Sequence, residues 1–273
     1  MDPAARVSVI NRYPVKSMQG ERVGSVAVDH LGIVGDRRWA VRDLGTDKIL
    51  SAKHPRDGRR LLACRARGVE ADVVVDVDGS TTPVARSDEL DERLSRYLGR
   101  PVQLASTPAV DDVYESYWPA VDGAVLSDVT TDLPIALSTG TGTFVDLAAL
   151  HVVTSASLAG MAELLPDGDV GVDRFRPSLV LEVDGPTGFV ENDWPGRVAR
   201  IGGATVRFTA PTPRCVMTTL AQPQLPDDKR ILRTIAAHNR RDFEGLGPVA
   251  CLGVYAEVVE AGTVTTGDDV AWT

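Results

Sequence analysis

Apolar residues in this chain come in short stretches that alternate with polar ones and stop at glycine, proline or aspartate within a few positions. That pattern commits most of the sequence to brief strands and tight turns. Arg6–Tyr13 alternates, Val23–Val28 follows, then Arg38–Arg42, Ile49–Ser51 and Val73–Val77, the last closing at Asp78-Gly79, a strong hairpin signal. Beyond the middle of the chain, Leu179–Val183, Val198–Ile201, Thr205–Thr209, Val216–Leu220, Leu252–Val259 and Val264–Val270 read as further strands. Helices are few. Ser87 is placed to cap one that runs to Gly99, with Asp88 and Glu89 at its positive end and Leu90, Leu94, Tyr97 and Leu98 on one face. Ser155–Leu165 carries Leu158, Met161, Ala162 and Leu165 at helical spacing before Pro166, and Asp227–Arg241 reads as a charged helix with Ile231, Leu232 and Ile235 inward. The fold class expected is mostly β with some α, with β-barrel architecture in both halves and peripheral helices.

Pro108 to Gly142 shows no clear periodicity, so 108–142 reads as a connection, or a loop over a site, between 1–107 and 143–273. The net charge of −9 opposes a nucleic-acid partner, which needs a broad positive field. A small anion needs only a local cluster, and arginines are dense at Arg37–Arg38, Arg174–Arg176 and Arg214. Cys64, Cys215 and Cys251 are odd in number and form no Cys-x-x-Cys pair, which speaks against a disulfide framework, a zinc ribbon or an iron–sulfur cluster. No apolar stretch suits a signal peptide or a membrane span, so a cytoplasmic location is expected.

Four segments hold candidate chemistry. In Tyr13-Pro14-Val15-Lys16-Ser17 an ammonium and a hydroxyl stand where a strand enters a turn, which suits an anion and equally suits a solvated turn. In Gly32-Ile33-Val34-Gly35-Asp36-Arg37-Arg38-Trp39, Arg37 is placed to clamp an anion with Asp36 orienting it, or to form a local ion pair on a hairpin. In Asp173-Arg174-Phe175-Arg176-Pro177-Ser178, extended chain would send both arginines to one side as a positive cup, and a solvated strand end fits the segment equally. In Pro211-Thr212-Pro213-Arg214-Cys215, two prolines stiffen the approach to a cysteine at the start of a strand, and the adjacent arginine favours a thiolate able to bind metal. A buried structural cysteine fits that segment too. Cys64 and Cys251 have structural surroundings, and His151, between Leu150 and Val152, reads as a packed core histidine. Gly140-Thr-Gly142 is too short for a phosphate loop, and neither a zinc-hydrolase spacing nor a Gly-x-Ser-x-Gly elbow is present.

In this order and spacing the four segments resemble the MOSC superfamily, in particular two-part proteins with an N-terminal MOSC β-barrel followed by a MOSC domain, the group of the mitochondrial amidoxime-reducing components. Gly253-x-Tyr255, Gly262-Thr263-Val264 and Gly267-Asp268 extend the likeness to nearly the whole chain. It implies a barrel domain over 1–107 and a MOSC domain over 143–273, with a molybdenum cofactor (Mo-molybdopterin) between them. It implies Lys16, Ser17, Arg37 and Arg176 as holders of phosphate and pterin, with Asp146, Ser178, Thr212 and Arg214 in the same pocket. Cys215 becomes the molybdenum ligand and catalytic centre, as soft-ligand chemistry favours. Departures from the family pattern fall at Leu147, Ala148, Ser178 and Pro213, where hydroxyl, asparagine or serine side chains are common. The activity implied is reduction of a small N-hydroxylated substrate, an amidoxime or hydroxylamine. Its electrons would come from a separate donor, a ferredoxin or flavoprotein reductase, because the chain lacks a ferredoxin cysteine set. The alternatives are a molybdenum cofactor sulfurtransferase, for which no desulfurase domain is present, and a cofactor carrier without turnover.

Overall fold

The computed structural model describes residues 4–54, 56–69, 72–122, 128–136, 142–185, 187–243 and 247–273. Gly140 and Thr141 lie outside the described residues, as do 123–127 and 137–141 of the connection expected from the sequence.

One large sheet organises the molecule. In spatial order it runs Val270–Trp272, Val198–Ile201, Ala204–Pro213, Gly247–Glu260, Leu150–Thr154, Leu179–Val183, Ala5–Arg12 and Glu21–Val23, with Arg240–Phe243 added alongside Gly247–Glu260. Its single parallel pair, Leu150–Thr154 beside Leu179–Val183, is joined through helix α2 (Ser155–Leu164). Thr154 caps α2 by accepting a hydrogen bond from the Ser157 backbone N–H at 3.1 Å. The inner face buries Val7, Ile10, Val152, Leu181, Val206 and Val254, and Trp194, Phe208 and Trp272 stack at centroid distances of 4.9–5.6 Å. With so few aromatics, β-branched residues supply most of this core, each contributing about 1.5–3 kcal/mol when fully sealed.

The first strand of the chain therefore lies in a sheet built otherwise mainly from residues beyond 143, and Gly262–Thr265 returns to pair with Ser25–Asp29. A second core forms around Val15, Met18, Val41, Leu61, Val75, Leu90 and Leu94. Here helix α1 (Ser87–Leu98) covers the meander of Arg65–Val69, Asp72–Val77 and Ser80–Pro83. Asp78 and Gly79 take φ of 51° and 76°, the paired left-handed turn that matches strand twist.

Several local expectations change. Ser87 is not the cap of α1: the Leu90 N–H already bonds the Arg86 carbonyl at 3.0 Å, so the helix starts one residue earlier, and no side chain caps it. Helix α3 is Arg230–His238, shorter than Asp227–Arg241, because Asp228 accepts the Arg230 N–H at 2.9 Å and Arg240–Phe243 turns into a hairpin with the start of Gly247–Glu260. Val264–Val270 divides into Gly262–Thr265 and Val270–Trp272 around Gly267 at φ 97°. Val113–Trp118 and Val129–Pro134 pair as a hairpin within the stretch that had no visible period. Among the described residues no helix is long and apolar enough to cross a membrane.

Candidate functional site

A cleft opens beside the large sheet, where His151 and Tyr255, cross-strand partners in Leu150–Thr154 and Gly247–Glu260, line its wall. Ala204–Pro213 runs past the end of Val198–Ile201, which pairs only with Ala204 to Arg207, so its last residues form a free edge. Pro211 and Pro213, which lack an N–H, are tolerated there and accompany breaks in register against Gly247–Glu260. The chain then leaves the sheet at Arg214 and Cys215. Cys215 does not begin a strand, as expected from the sequence, but precedes a 3-10 turn, Val216–Thr219. The Thr218 and Thr219 hydroxyls bond back to the carbonyls of Cys215 and Val216 at 3.0 and 2.7 Å, competing with an extended backbone.

The cleft spans about 770 Å³, the open solvent at its mouth included. Every residue that the resemblance implicates lines it: Lys16, Ser17, Arg37, Asp146, Arg176, Ser178, Thr212, Arg214 and Cys215. Five basic side chains, Lys16, Arg37, Lys53, Arg176 and Arg214, and one carboxylate, Asp146, face this space, in a chain whose net charge is −9. Lys16 pairs with Asp146 and donates to the Phe144 carbonyl at 3.1 Å. Lys53 reaches the other Asp146 oxygen at 3.1 Å and the Tyr114 hydroxyl at 3.1 Å. The arrangement is asymmetric. Asp146, half-buried and desolvated, is held far below the usual carboxylate range by two lysines. Burial pushes Lys16 down to about 8, because its half-share of one carboxylate does not offset desolvation and the nearby Lys53 and Arg37. Lys53 is also desolvated, yet Asp146, Tyr114 and other neighbours together hold it well above its ordinary value.

The arginines are less well matched. Arg37 pairs with buried Asp36, which also accepts the Tyr13 N–H at 2.6 Å. Arg176 and Arg214 meet no carboxylate among the described residues. Arg176 donates to the Met18 carbonyl at 2.7 Å, Arg214 to the Phe175 carbonyl at 2.8 Å. Burial lowers both, Arg176 to about 10. Arg176 Nη2, Arg214 Nε and Thr212 Oγ1 are buried without a hydrogen-bond partner among the described residues. An orphaned buried donor costs about 1–3 kcal/mol, so such a set persists where something else satisfies it. Backbone strain gathers at the same place. Of seven non-glycine residues with positive φ among the described residues, three are Ser17 (66°), Arg37 (47°) and Arg176 (52°).

The positive cup expected of Arg174 and Arg176 does not form through extended chain. Val172–Arg174 is a 3-10 turn, and Arg174 spends its guanidinium on the carbonyls of Asp169, Thr218 and Pro226 at 2.6–3.2 Å. Ser178 is engaged in the wall: its hydroxyl accepts the His151 N–H at 3.2 Å. Ser17 Oγ accepts the Ala52 N–H at 3.0 Å, which leaves its proton to donate and fixes the loop that carries Lys53.

Sequence reasoning missed Lys53, Tyr114 and the cleft role of Tyr255. Lys53 sits in Ser-Ala-Lys-His, which carries no local signal, and Tyr114 lies on the hairpin that went unseen. His151 is buried as expected, but it also lines the cleft. Its Nε2 lies 3.3 Å from Arg214 Nη1, and burial together with Arg214 and Arg37 lowers it well below its ordinary value. Arginine can only donate, so Nε2 accepts and the ring proton resides on Nδ1. Gly253 makes this placement possible, since a Cβ there, at φ 89°, would stand 2.4 Å from His151 Nε2. Cys64 and Cys251 are buried elsewhere, where desolvation pushes both thiols up to about 12.

Comparison with known families and structures gives two sequence matches. Residues 139–271 match the MOSC domain model, and residues 4–75 match the MOSC N-terminal beta barrel domain model. No curated protein matches the chain. Among solved structures, the YUAD protein from Bacillus subtilis is similar over 98% of this chain and 94% of its own, at 10% identity and TM-score 0.47. YiiM from Geobacillus stearothermophilus is similar over 46% of this chain and 54% of its own, at 17% identity and TM-score 0.32.

Proposed function

Because this chain belongs to the MOSC superfamily, whose domains are associated with molybdenum cofactor-binding proteins, we propose that its cleft binds Mo-molybdopterin and that it reduces N-hydroxylated compounds. The observation that carries the reading is the convergence of Cys215 with five basic side chains, one carboxylate and the orphaned atoms of Arg176, Arg214 and Thr212. A polyanionic group with a thiophilic metal fits that donor set: the cations and orphaned donors answer phosphate and pterin oxygens, and the sulfur answers the metal.

In this reading Lys16, Ser17, Arg37, Arg176 and Arg214 grip the cofactor and Cys215 ligates molybdenum. When bound, the cofactor supplies a two-electron couple between the +6 and +4 states of molybdenum. Converting an N–OH group to N–H and water consumes those two electrons and two protons, the electrons arriving from a separate ferredoxin or flavoprotein donor. Neutral His151 fixes Arg214 through Nε2, so the arginine beside Cys215 keeps one orientation. Lys53 holds its proton at Nζ and keeps a positive charge near Asp146 through the neutral range. Leu147 and Ala148 line the cleft without side-chain donors, so at those points only backbone groups are available to a ligand.

The test is to load the protein with cofactor in a molybdate-replete host, quantify molybdenum and pterin, and supply an amidoxime or hydroxylamine with reduced viologen. Amine formation is expected, and Cys215→Ala should abolish it and remove sulfur from the molybdenum X-ray absorption shell, whereas Cys64→Ala and Cys251→Ala should retain both. A fully loaded protein that reduces no such substrate, yet accumulates a Cys215 persulfide with a desulfurase, is a sulfur carrier instead.

A further inference from the structure

Tyr13 belongs to the first motif but does not line the cleft, and its side chain does something the motif alone does not suggest. The residue is 4% exposed, and its hydroxyl is buried without a hydrogen-bond partner among the described residues. A tyrosine retained for its hydroxyl would have that hydroxyl satisfied. The ring, by contrast, is fully engaged. The Arg37 guanidinium carbon lies 4.9 Å from the ring centroid and that of Arg176 lies 4.2 Å from it, both inside the range of cation–π attraction. The two residues also touch directly, since Arg37 Nη2 reaches the Arg176 carbonyl at 3.4 Å. The strand that ends at Arg12 brings Tyr13 to this point. The Tyr13 N–H is taken by Asp36 at 2.6 Å and its carbonyl by the Arg37 N–H at 2.7 Å.

Two buried guanidiniums side by side repel each other, and only Arg37 has a carboxylate partner among the described residues. An aromatic ring answers both without neutralising either, because its quadrupole attracts cations while carrying no net charge. We propose that Tyr13 is a positioning residue, a ring platform shared by Arg37 and Arg176 that holds them as one two-guanidinium clamp for an oxyanion. The ring is the working part and the hydroxyl is dispensable. Burial pushes the Tyr13 hydroxyl up to about 12, so the platform stays neutral across the physiological range. This inference rests on the anion-binding part of the function proposed above and not on the reductase chemistry.

The experiment compares the full-length protein with Tyr13→Phe and Tyr13→Met. Methionine has similar bulk without a π face, and melting temperatures check that each variant folds. The probe is sulfate, whose charge is constant near neutral pH, titrated calorimetrically into cofactor-free protein. Tyr13→Phe should bind sulfate within about twofold of native. Tyr13→Met should bind about tenfold more weakly, the fold-change for losing two partly desolvated cation–π contacts. That tenfold loss should shrink when Arg37 is already alanine, since the two residues act as a unit. Equal affinity in native and Tyr13→Met makes the ring a mere space-filler and overturns the proposal, as does a Tyr13→Phe protein as weak as Tyr13→Met. A second measurement needs neither sulfate nor folded Tyr13→Met. The side-chain N–H signals of Arg37 and Arg176 in native protein should be shifted by the Tyr13 ring current, and unshifted signals overturn the platform. Native protein that shows the ring-current shift but binds no sulfate overturns the anion reading of the cleft while upholding the platform.

Discussion

Lys48 and the cleft lysines make opposite use of charge. Lys48 is partly exposed and holds two acids, Glu115 and Asp132, each at 2.9 Å. In the cleft the ratio is inverted: Asp146 alone serves Lys16 and Lys53, and Arg176 and Arg214 have no acid among the described residues. Exposed pairs such as those of Lys48 contribute about 0–1 kcal/mol, because water already solvates both partners. A buried cation without a partner costs several kcal/mol, so its arrangement has to be imposed by the surrounding fold. The surface network is complete in the protein as it stands. In the function proposed above, a ligand completes the cleft.

The largest expected effect breaks this contrast at its centre. Asp146→Asn leaves Lys16 and Lys53 buried without their shared carboxylate, and we expect a loss of about 3–5 kcal/mol in denaturant unfolding. Asp132→Asn, measured alongside, should cost under about 1 kcal/mol. Equal losses would mean that the cleft is as well solvated as the surface.

Next, Arg176→Ala should weaken cofactor retention by about tenfold to hundredfold, the worth of a hydrogen bond to a charged group of about 1.5–3 kcal/mol. The cofactor-free protein should be no less stable than native, because a desolvated cation without an acid is removed. An Arg176→Ala protein that keeps its full pterin content would place the phosphate elsewhere.

The third effect is smaller and depends on pH. Lys16 is lowered to about 8 from an ordinary 10.5, so between those values the folded state has lost a proton that the unfolded chain still binds. Stability contributed by this group therefore rises with pH across that window, while affinity for an anion falls as the ammonium is lost. Sulfate affinity should decline from about pH 8 upward, by at most about tenfold per pH unit for one proton. Lys16→Arg should flatten the profile. On the acid side the slope has the same sign: Asp146 is depressed, so its stabilising contribution is present above the ordinary carboxylate range and is lost as pH falls through its folded value. A flat sulfate profile in the native protein would mean that Lys16 stays charged and is not the titrating group.

The smallest effect is expected at Lys48. Lys48→Ala should change sulfate binding by less than about twofold and stability by under about 1 kcal/mol. A large change in sulfate binding would show that the surface network and the cleft are coupled.

Legibility followed the range of the forces involved. Asp78-Gly79, the inward faces of α1 and α3, and most of the strands could be read because alternation and turn chemistry act within a few residues. The candidate residues were readable as an ordered set of short motifs and what they resemble, and the fold brings Lys16, Arg37, Arg176 and Cys215 to one cleft. What failed locally failed where a distant partner intervened. Arg174 was expected to face a ligand, but the carbonyls of Thr218 and Pro226 claim it. Val216 to Thr219 has strand-forming side chains, yet past Pro213 no neighbouring strand continues the ladder, and threonine hydroxyls close a turn instead.

The sequence by itself determined that this chain is mostly β, where its hairpins and amphipathic helices lie, and which short segments carry cations and a cysteine. Only the tertiary structure decided which cations share a carboxylate and which go without, because Lys16 and Asp146 meet across 130 residues of chain. It also decided that Lys53, Tyr114 and His151 join them, and that Tyr13 stands against two guanidiniums. Burial, desolvation and ion pairing depend on what surrounds a group in space, and no periodicity along the chain encodes that.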